Sequence, residues 1–245
     1  MGNQNSIARS TDQGLSSFAL KLVALVAMTC NHAAYIFQEQ VPAPLACVLW
    51  SVGGLACPLF AFLLVQGYRH TSNFRRYAMR LGVFALISQV PYWLFLAHVG
   101  NVLFTLLASL LALYALDHIQ DEVARIAAAA ALVALTALCD WGLLGPLLVI
   151  AMKRSDDSGL GPLRALAAIA AILAAVALVD MLLYPEALFG PNGLGALGYA
   201  LGCLATAPLI ARYNGQRGPS FKWLFYAYYP LHIAVLGLMH MALFA

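Results

Sequence analysis

Charged residues are scarce in this sequence. Of its 245 residues, 9% are Asp, Glu, Lys or Arg, whereas 63% are hydrophobic, and the mean hydropathy is +0.83. A soluble domain carries roughly 25% charged residues, so a chain this poor in charge must have lipid as its solvent. The formal net charge of +3 is small, and no basic, aromatic-rich stretch supports nucleic-acid binding.

Paired cysteine motifs and a cleavable leader are also lacking. The five cysteines show neither CxxC nor Cys/His ligand spacing, so we expect packing roles and no metal site. A Cys47–Cys139 disulfide remains an open alternative. Residues 1–17 are polar, and Lys21 lies inside the first apolar run, which is therefore a retained span. We predict a cytoplasmic segment over 1–17 and one transmembrane domain over 18–245.

Long apolar runs occupy most of the chain. A span needs about 20 apolar residues to cross a hydrocarbon core about 30 Å thick. We predict an all-α polytopic bundle of about nine spans, at roughly 18–37, 45–67, 77–97, 102–117, 123–138, 140–152, 164–184, 192–211 and 222–243. The fifth and sixth are short, and the 139–142 stretch between them is either a hairpin turn or a break in one long helix.

The positions of lysine and arginine decide between these alternatives, because membrane proteins keep an excess of both in the cytoplasm. With nine spans and a cytoplasmic N-terminus, all 13 basic residues, from Arg9 to Lys222, fall inside. Merging the fifth and sixth spans would place six of the 13 outside. We therefore predict nine spans, with Ala245 outside and the sixth span tilted, thinned or partly re-entrant.

Two ionisable residues share one face of the first span. Lys21 and His32 are eleven residues apart, which returns His32 to within roughly 20° of Lys21 and separates them by about 16 Å along the axis. Ionisable groups within spans are rare and indicate function by default. The pair predicts a polar track, with Lys21 near the cytoplasm and His32 near the outside. The alternative is that Lys21 snorkels to headgroups and His32 bonds a backbone carbonyl.

Other polar residues are expected at or near the outer level. Asn31 and Asn101 are candidates to donate hydrogen bonds, with a hydrophilic turn as the alternative for Asn101. Asp140 lies in an apolar stretch and needs a partner. His232 lies mid-span after Pro230, where it is placed to line the polar interior.

Basic residues near the cytoplasmic ends of the spans are candidates to bind a phosphorylated ligand. Ordinary positive-inside charge explains the same residues, and charge alone does not separate the two interpretations. The candidates are Lys21, Arg69, His70, Arg75, Arg76, Arg80 and Lys222.

Several short blocks, in order, resemble the TraX family of conjugal-transfer membrane proteins. They are Leu20–Met28 followed by Asn31-His32, Gly53–Phe62, Gly67–Arg80, Gly100–Thr105, Asp140–Gly145 and Tyr226–His232. The family usually has Asp-His where this chain has Asn31-His32. Because the carboxylate that would polarise the histidine is absent here, another group must do so, and Asp140 is the candidate. The Lys21-x10-His32 spacing is also similar to a basic-x10-His signature of transmembrane acyltransferases.

This resemblance implies a bacterial inner-membrane protein associated with N-terminal acetylation of pilin. The acyltransferase likeness implies acetyl-CoA on the cytoplasmic side as donor and an acceptor amine or hydroxyl on the other side. His32 would act as general base or transient acyl carrier, with Asn31, Asn101 or a hydroxyl stabilising the oxyanion. The expected partners are acetyl-CoA, pilin or another envelope acceptor, and the bilayer, and an oligomer is compatible. A transporter and a non-enzymatic assembly factor remain alternatives.

Overall fold

The structure, a computed structural model, describes residues 14–155, 160–185 and 193–244, without the side chains of Leu160 and Lys222. Residues 1–13, including Arg9, and Ala245 lie outside this description, so the predicted 1–17 segment is described only from Gly14. The described residues form α-helices and one 3-10 turn, with no extended strand, which confirms the all-α class. The helices are α1 (Ser17–Ile36), α2 (Ala43–Gly53), α3 (Ala56–His70), α4 (Phe74–Phe95), α5 (Val102–His118), α6 (Glu122–Leu135), α7 (Leu144–Arg154), α8 (Leu160–Leu183), α9 (Leu194–Ala211) and α10 (Lys222–Phe244).

Within the described ranges, six helical segments are long and apolar enough to cross a membrane: Ser17–Ile36, Ala43–His70, Phe74–Phe95, Gly161–Leu183, Leu194–Ala211 and Trp223–Phe244. The second of them joins α2 and α3. The remaining helices are shorter, with 17 residues in α5, 14 in α6 and 11 in α7. At 1.5 Å per residue, α6 and α7 measure about 21 and 16 Å. The described residues therefore contain six full-length segments where the sequence predicts nine spans, and the three short helices, α5 to α7, follow one another in the chain.

The three short helices run between the same two levels of the bundle. Gly100, before α5, pairs with Cys139, after α6. At the opposite level, Lys153 in the last turn of α7 forms an ion pair with Asp117 near the end of α5. Hence α5 and α7 run in the same direction, and α6 runs antiparallel to both between the same two levels.

One level collects the basic residues and is called the basic end here. It comprises the starts of α1, α4, α6, α8 and α10 and the ends of α3, α5, α7 and α9. At this end Tyr68 donates to Asp117 at 2.7 Å, Arg69 donates to the Lys153 carbonyl at 3.2 Å, and Leu15 pairs with Tyr213. Every described lysine and arginine lies within the first or last two turns of a helix at this end or in an adjoining loop.

A tight turn separates α6 from α7. Trp141 and Gly142 adopt positive φ angles of 66° and 41°, and a right-handed α-helix cannot continue through residues in this conformation. The turn is held by Asp140, whose N–H donates to the Gly100 carbonyl at 2.7 Å and whose carbonyl accepts the Thr105 hydroxyl at 2.5 Å. The hairpin interpretation of this stretch is therefore confirmed, and the single long helix is wrong. All five cysteines are free thiols, so the Cys47–Cys139 disulfide is also wrong.

Candidate functional site

One face of α1 contacts α10 and carries both ionisable groups of the first span. The Lys21 ammonium lies 5.3 Å from the centre of the Phe225 ring, and the His32 imidazole lies against that of His232. Phe225 and His232 both belong to α10. The eleven-residue spacing therefore places Lys21 and His32 on the same side of α1, about 16 Å apart along the axis.

A pair of hydroxyl groups lies one turn from His32 at the contact of α1 with α10. The Thr29 hydroxyl donates to the Leu25 carbonyl at 2.9 Å, and its oxygen lies 2.7 Å from the Tyr228 hydroxyl. Because Thr29 has one hydroxyl hydrogen and uses it within α1, Tyr228 is the donor of the second bond. Thr29 and Tyr228 thus extend the polar contact between α1 and α10 by one turn from His32 toward Lys21, and the remaining two turns or so carry no further polar contact in the described residues.

His32 and His232 form a buried pair. Nδ1 of His32 lies 2.7 Å from Nε2 of His232, and the two rings are nearly parallel, with centroids 4.9 Å apart. The side chains are 6% and 7% exposed, respectively. The structure thereby joins two of the predicted site residues from opposite ends of the chain.

The hydrogen bonds determine where the protons lie in the neutral pair. Nδ1 of His232 is 2.8 Å from the Tyr228 carbonyl oxygen, and a carbonyl only accepts, so this nitrogen carries a hydrogen. Nε2 of His232 is then an acceptor and receives the hydrogen on Nδ1 of His32. The free lone pair of His32 consequently lies on Nε2. A base whose second nitrogen is held by a neighbouring acceptor has a defined tautomer and orientation.

Asp140 does not orient His32. Its carboxylate lies beside the Tyr92 hydroxyl and the Trp141 backbone N–H, where it stabilises the turn before α7. The expectation that Asp140 replaces the family's usual aspartate as the partner of His32 is wrong, because His232 occupies Nδ1 of His32.

Asn101 has a structural role at the start of α5. Its side-chain oxygen accepts the Leu103 N–H at 3.0 Å and so caps the helix. Its amide nitrogen donates to the Ala85 carbonyl and to the Gln89 amide oxygen, both at 2.8 Å. Both amide hydrogens are in use and the residue is fully buried, so the predicted role as an oxyanion donor is wrong.

Asn31 faces a different helix from His32. Adjacent residues on a helix point about 100° apart, and Asn31 packs on Gly53 at the end of α2, where an added Cβ would lie 2.8 Å from the Asn31 Cβ. Glycine at position 53 thus permits the close approach of α1 and α2. In this structure the residue before His32 contacts α2, whereas His32 contacts α10.

Lys21 and Arg80 both contact aromatic residues of α10 at the basic end. Lys21 lies within electrostatic range of Arg217. The Arg80 guanidinium lies over the Tyr77 ring at 5.9 Å and beside the Tyr226 hydroxyl. Its Nε is buried and has no hydrogen-bond partner among the described residues. A buried guanidinium N–H without an acceptor is costly, so this donor set suits a phosphate.

The other predicted phosphate-binding residues are dispersed. Arg69 lines a cavity of about 250 Å³ between α3, α7, α8 and α9. His70 donates from Nδ1 to the Gln66 carbonyl at 2.8 Å, and Arg75 and Arg76 are exposed at the start of α4. The Lys222 side chain lies outside the described residues. The structure therefore separates Arg69 and His70, at the end of α3, from the Lys21 and Arg80 contacts with α10.

Two tyrosines that the sequence analysis did not single out lie at the site. Tyr229 contacts both imidazoles, and Tyr92 lies beside Asp140. The signal for Tyr229 was its position three residues before His232, since residues three apart share a helix face. For Tyr92 no local signal existed.

Comparison with known proteins supports the resemblance. The TraX protein family model matches residues 16–240. A protein from Dichelobacter nodosus described as "Probable fimbrial assembly protein FimC, serogroup H1" is 32% identical over 237 residues, which cover 90% of this chain and 94% of that protein. No solved structure matches the chain. Because the family match extends from the start of α1 almost to the end of α10, this chain belongs to the TraX family.

Proposed function

We propose that this protein is a membrane-embedded acetyltransferase that uses acetyl-CoA. The observation that carries the proposal is the buried His32–His232 pair, whose hydrogen bonds leave the lone pair of His32 on Nε2. Ionisable side chains inside a bilayer are costly and indicate function by default. A histidine held in one tautomer by a second group is suited to general-base or nucleophilic catalysis.

The proposed orientation has the basic end in the cytoplasm of a bacterial inner membrane, since lysine and arginine concentrate on that side. The helices α5, α6 and α7 run between the two levels, and we propose that each crosses, which gives nine crossings and a cytoplasmic N-terminus. The short α6 and α7 would be accommodated by local thinning of the bilayer. His32 lies four residues before the end of α1 and would be nearer the outer face.

The proposed donor site lies at the basic end. Acetyl-CoA carries phosphates, and the unpaired Nε of Arg80 together with the Lys21–Arg217 pair of like charges favours an anion. Arg69, Arg75, Arg76 and Lys222 lie elsewhere at the basic end and would add positive charge to that face, with His70 next to Arg69. The acetyl thioester would reach His32 along the polar face of α1.

Either role of His32 gives a balanced reaction. As a base, Nε2 takes a proton from the acceptor while the acceptor's nitrogen or oxygen attacks the thioester carbonyl carbon. The C–S bond breaks with its electron pair on sulfur, and the proton on His32 passes to that thiolate. As an acyl carrier, Nε2 itself attacks the carbonyl carbon, and the C–S bond breaks with its electron pair on sulfur. The acceptor then attacks the acetyl imidazole, the N–acetyl bond breaks with its electron pair on Nε2, and the proton that the acceptor loses balances the one taken up by the CoA thiolate. In both routes His232 holds the His32 ring in place.

We propose an envelope acceptor of the pilin type, with the N-terminal amine as the acetylated group and an envelope hydroxyl as the alternative. The support is family membership and the relative described as a fimbrial assembly protein. The acceptor meets the donor at the outer level, where His32 lies.

Acetyl transfer by purified protein in lipid nanodiscs tests the proposal. Protein, isotope-labelled acetyl-CoA and a peptide with the pilin N-terminus are mixed, and released thiol and labelled peptide are measured. We expect His32→Ala to lower the rate by at least about 10²–10⁴-fold, the usual contribution of a general base, while acetyl-CoA still binds. His98→Ala is the matched control, because His98 is exposed in the loop after α4. A wild-type rate in His32→Ala would overturn the mechanism.

A non-enzymatic role in fimbrial assembly is the second candidate, and the relative's description favours it. The two candidates differ in a cell lacking the gene and complemented with His32→Ala. If the protein is an enzyme, unmodified pilin accumulates in the complemented strain. If the protein is an assembly factor, His32→Ala restores fimbriae, and pilin is unmodified even with the wild-type gene.

A further inference from the structure

The hydroxyl of Tyr229 is buried, and its hydrogen has no acceptor among the described residues, while the backbone N–H of Val102 lies beside its oxygen. The residue is 3% exposed. Its ring centroid lies 6.0 Å from that of His32 and 5.7 Å from that of His232. A buried, unpaired hydroxyl lowers the stability of the folded state. A ligand that accepts its hydrogen would remove this penalty.

The neighbouring tyrosines already have partners. The Tyr228 hydroxyl donates to Thr29 at 2.7 Å, and the Tyr92 hydroxyl lies beside the Asp140 carboxylate. Three buried side-chain atoms in the described part of the chain lack a partner, namely Arg80 Nε, Ser88 Oγ and the Tyr229 hydroxyl. Of these three residues, Tyr229 is the one whose ring contacts both imidazoles. The Tyr229 side chain therefore combines contact with both imidazoles and a hydroxyl hydrogen that has no acceptor among the described residues.

We propose that Tyr229 is a catalytic residue that donates a hydrogen bond to the carbonyl oxygen of the acetyl thioester, an inference that rests on the proposed acetyl transfer. When Nε2 of His32 or the acceptor attacks the carbonyl carbon, the π electron pair moves onto oxygen and the bond from Tyr229 strengthens. The phenol keeps its proton. The electron pair returns as the C–S bond breaks, and the thiolate leaves to be protonated.

The backbone of α10 sets the geometry of this donor. Tyr229 precedes His232 by three residues, so the two side chains share one helix face about one turn apart. The donor and the group that orients His32 are thus fixed on a single element, and neither depends on a loop. A preorganised donor in a site without water stabilises developing negative charge more than it stabilises the ground state. The expected signature is a change in kcat with little change in KM.

Tyr229→Phe, assayed for acetyl transfer in nanodiscs, tests the assignment, with Tyr229→Leu as a second variant. We expect Tyr229→Phe to lower kcat by about 10²–10³-fold, as for loss of one oxyanion donor, with the KM for acetyl-CoA within about twofold of wild type. Its thermal midpoint should stay close to that of wild type, because the hydrogen of the lost hydroxyl has no acceptor among the described residues. Ser88→Ala is the matched control: it also removes a buried, unpaired hydroxyl, and it should retain the wild-type kcat.

Three results would overturn the assignment, and they are distinguishable. A wild-type kcat in both Tyr229 variants removes Tyr229 from the reaction but leaves the acetyltransferase intact. A fall in kcat that accompanies an equal loss of thermal stability or of acetyl-CoA binding shows a packing role. Absence of any acetyl transfer by the wild-type protein overturns the proposed function, and this assignment with it.

Discussion

Replacing His232 with leucine removes the acceptor of the His32 Nδ1 hydrogen bond and keeps an apolar side chain in α10. The two nitrogens are 2.7 Å apart and both side chains are buried, so water does not replace the lost partner. The bond from Nδ1 strengthens when Nε2 of His32 takes up positive charge in the reaction, so its loss raises the barrier, by about 1–3 kcal/mol if the full cost of an unpaired buried donor falls on the transition state. At about 1.4 kcal/mol per tenfold in rate, this corresponds to a fall of about 5- to 150-fold in kcat.

A second effect adds to the first. Without His232, the proton of neutral His32 is free to move to Nε2, where the ring no longer acts as a base toward the acceptor. We therefore expect His232→Leu to lower kcat by about 10²–10³-fold in total. The KM for acetyl-CoA should stay unchanged, because Lys21 and Arg80 are untouched. CoA thiol release by protein in nanodiscs, followed as a function of acetyl-CoA concentration, separates the two constants.

His232→Gln supplies the matched rescue. The glutamine amide oxygen reaches the region of the histidine Nε2 and accepts the same hydrogen bond. The kcat of His232→Gln should therefore be at least about tenfold higher than that of His232→Leu. His240→Leu is the control on the same helix, since the His240 ring contacts Phe37 and Phe244 away from the pair. A wild-type kcat in His232→Leu would refute the positioning role. Equal activity of folded His232→Gln and His232→Leu would refute the argument from the hydrogen bond.

Removing charge at the basic end should weaken donor binding. Arg80→Gln should raise the KM for acetyl-CoA by about tenfold, most strongly at low salt, whereas replacing the exposed Arg164 with glutamine should leave the KM unchanged. Equal KM values for the two variants would favour ordinary positive-inside charge. For topology, Ser155→Cys and Glu39→Cys are made in a cysteine-free background and treated with membrane-impermeant thiol reagents. The cysteine at 155 should react only from the cytoplasmic side, and the cysteine at 39 only from the outside. External labelling of Ser155→Cys would contradict nine crossings. Asp140→Asn should lower the free energy of unfolding by about 1 kcal/mol, because it weakens the turn before α7, and should leave kcat nearly unchanged. A large loss of kcat at a constant thermal midpoint would instead show that Asp140 takes part in the mechanism.

Local and compositional features of the chain predict its class and much of its chain path. The scarcity of charge and the long apolar runs require a helical membrane protein, because a bilayer leaves helices to satisfy their own backbone groups. The distribution of lysine and arginine favours the hairpin at 139–142, and the positive φ angles of Trp141 and Gly142 confirm it. Helix length was less predictable: α6 ends early and α7 begins late, because the turn and its contacts with Gly100 and Thr105 occupy residues that were predicted to be helical.

The shared face of Lys21 and His32 follows from the sequence alone, because eleven residues are close to three turns of any α-helix. The partner of His32 does not. His232 lies 200 residues away, and helices that are apolar on all sides give no periodic signal for which face meets which neighbour. Only the packing of α10 against α1 selects His232 over Asp140. Contacts between α4 and α5 use both amide hydrogens of Asn101. Tertiary packing also leaves the Tyr229 hydroxyl hydrogen without an acceptor among the described residues. The sequence by itself thus determined which polar groups enter the membrane, and the tertiary structure decided which of them touch, since that depends on helix contacts between residues far apart in the chain.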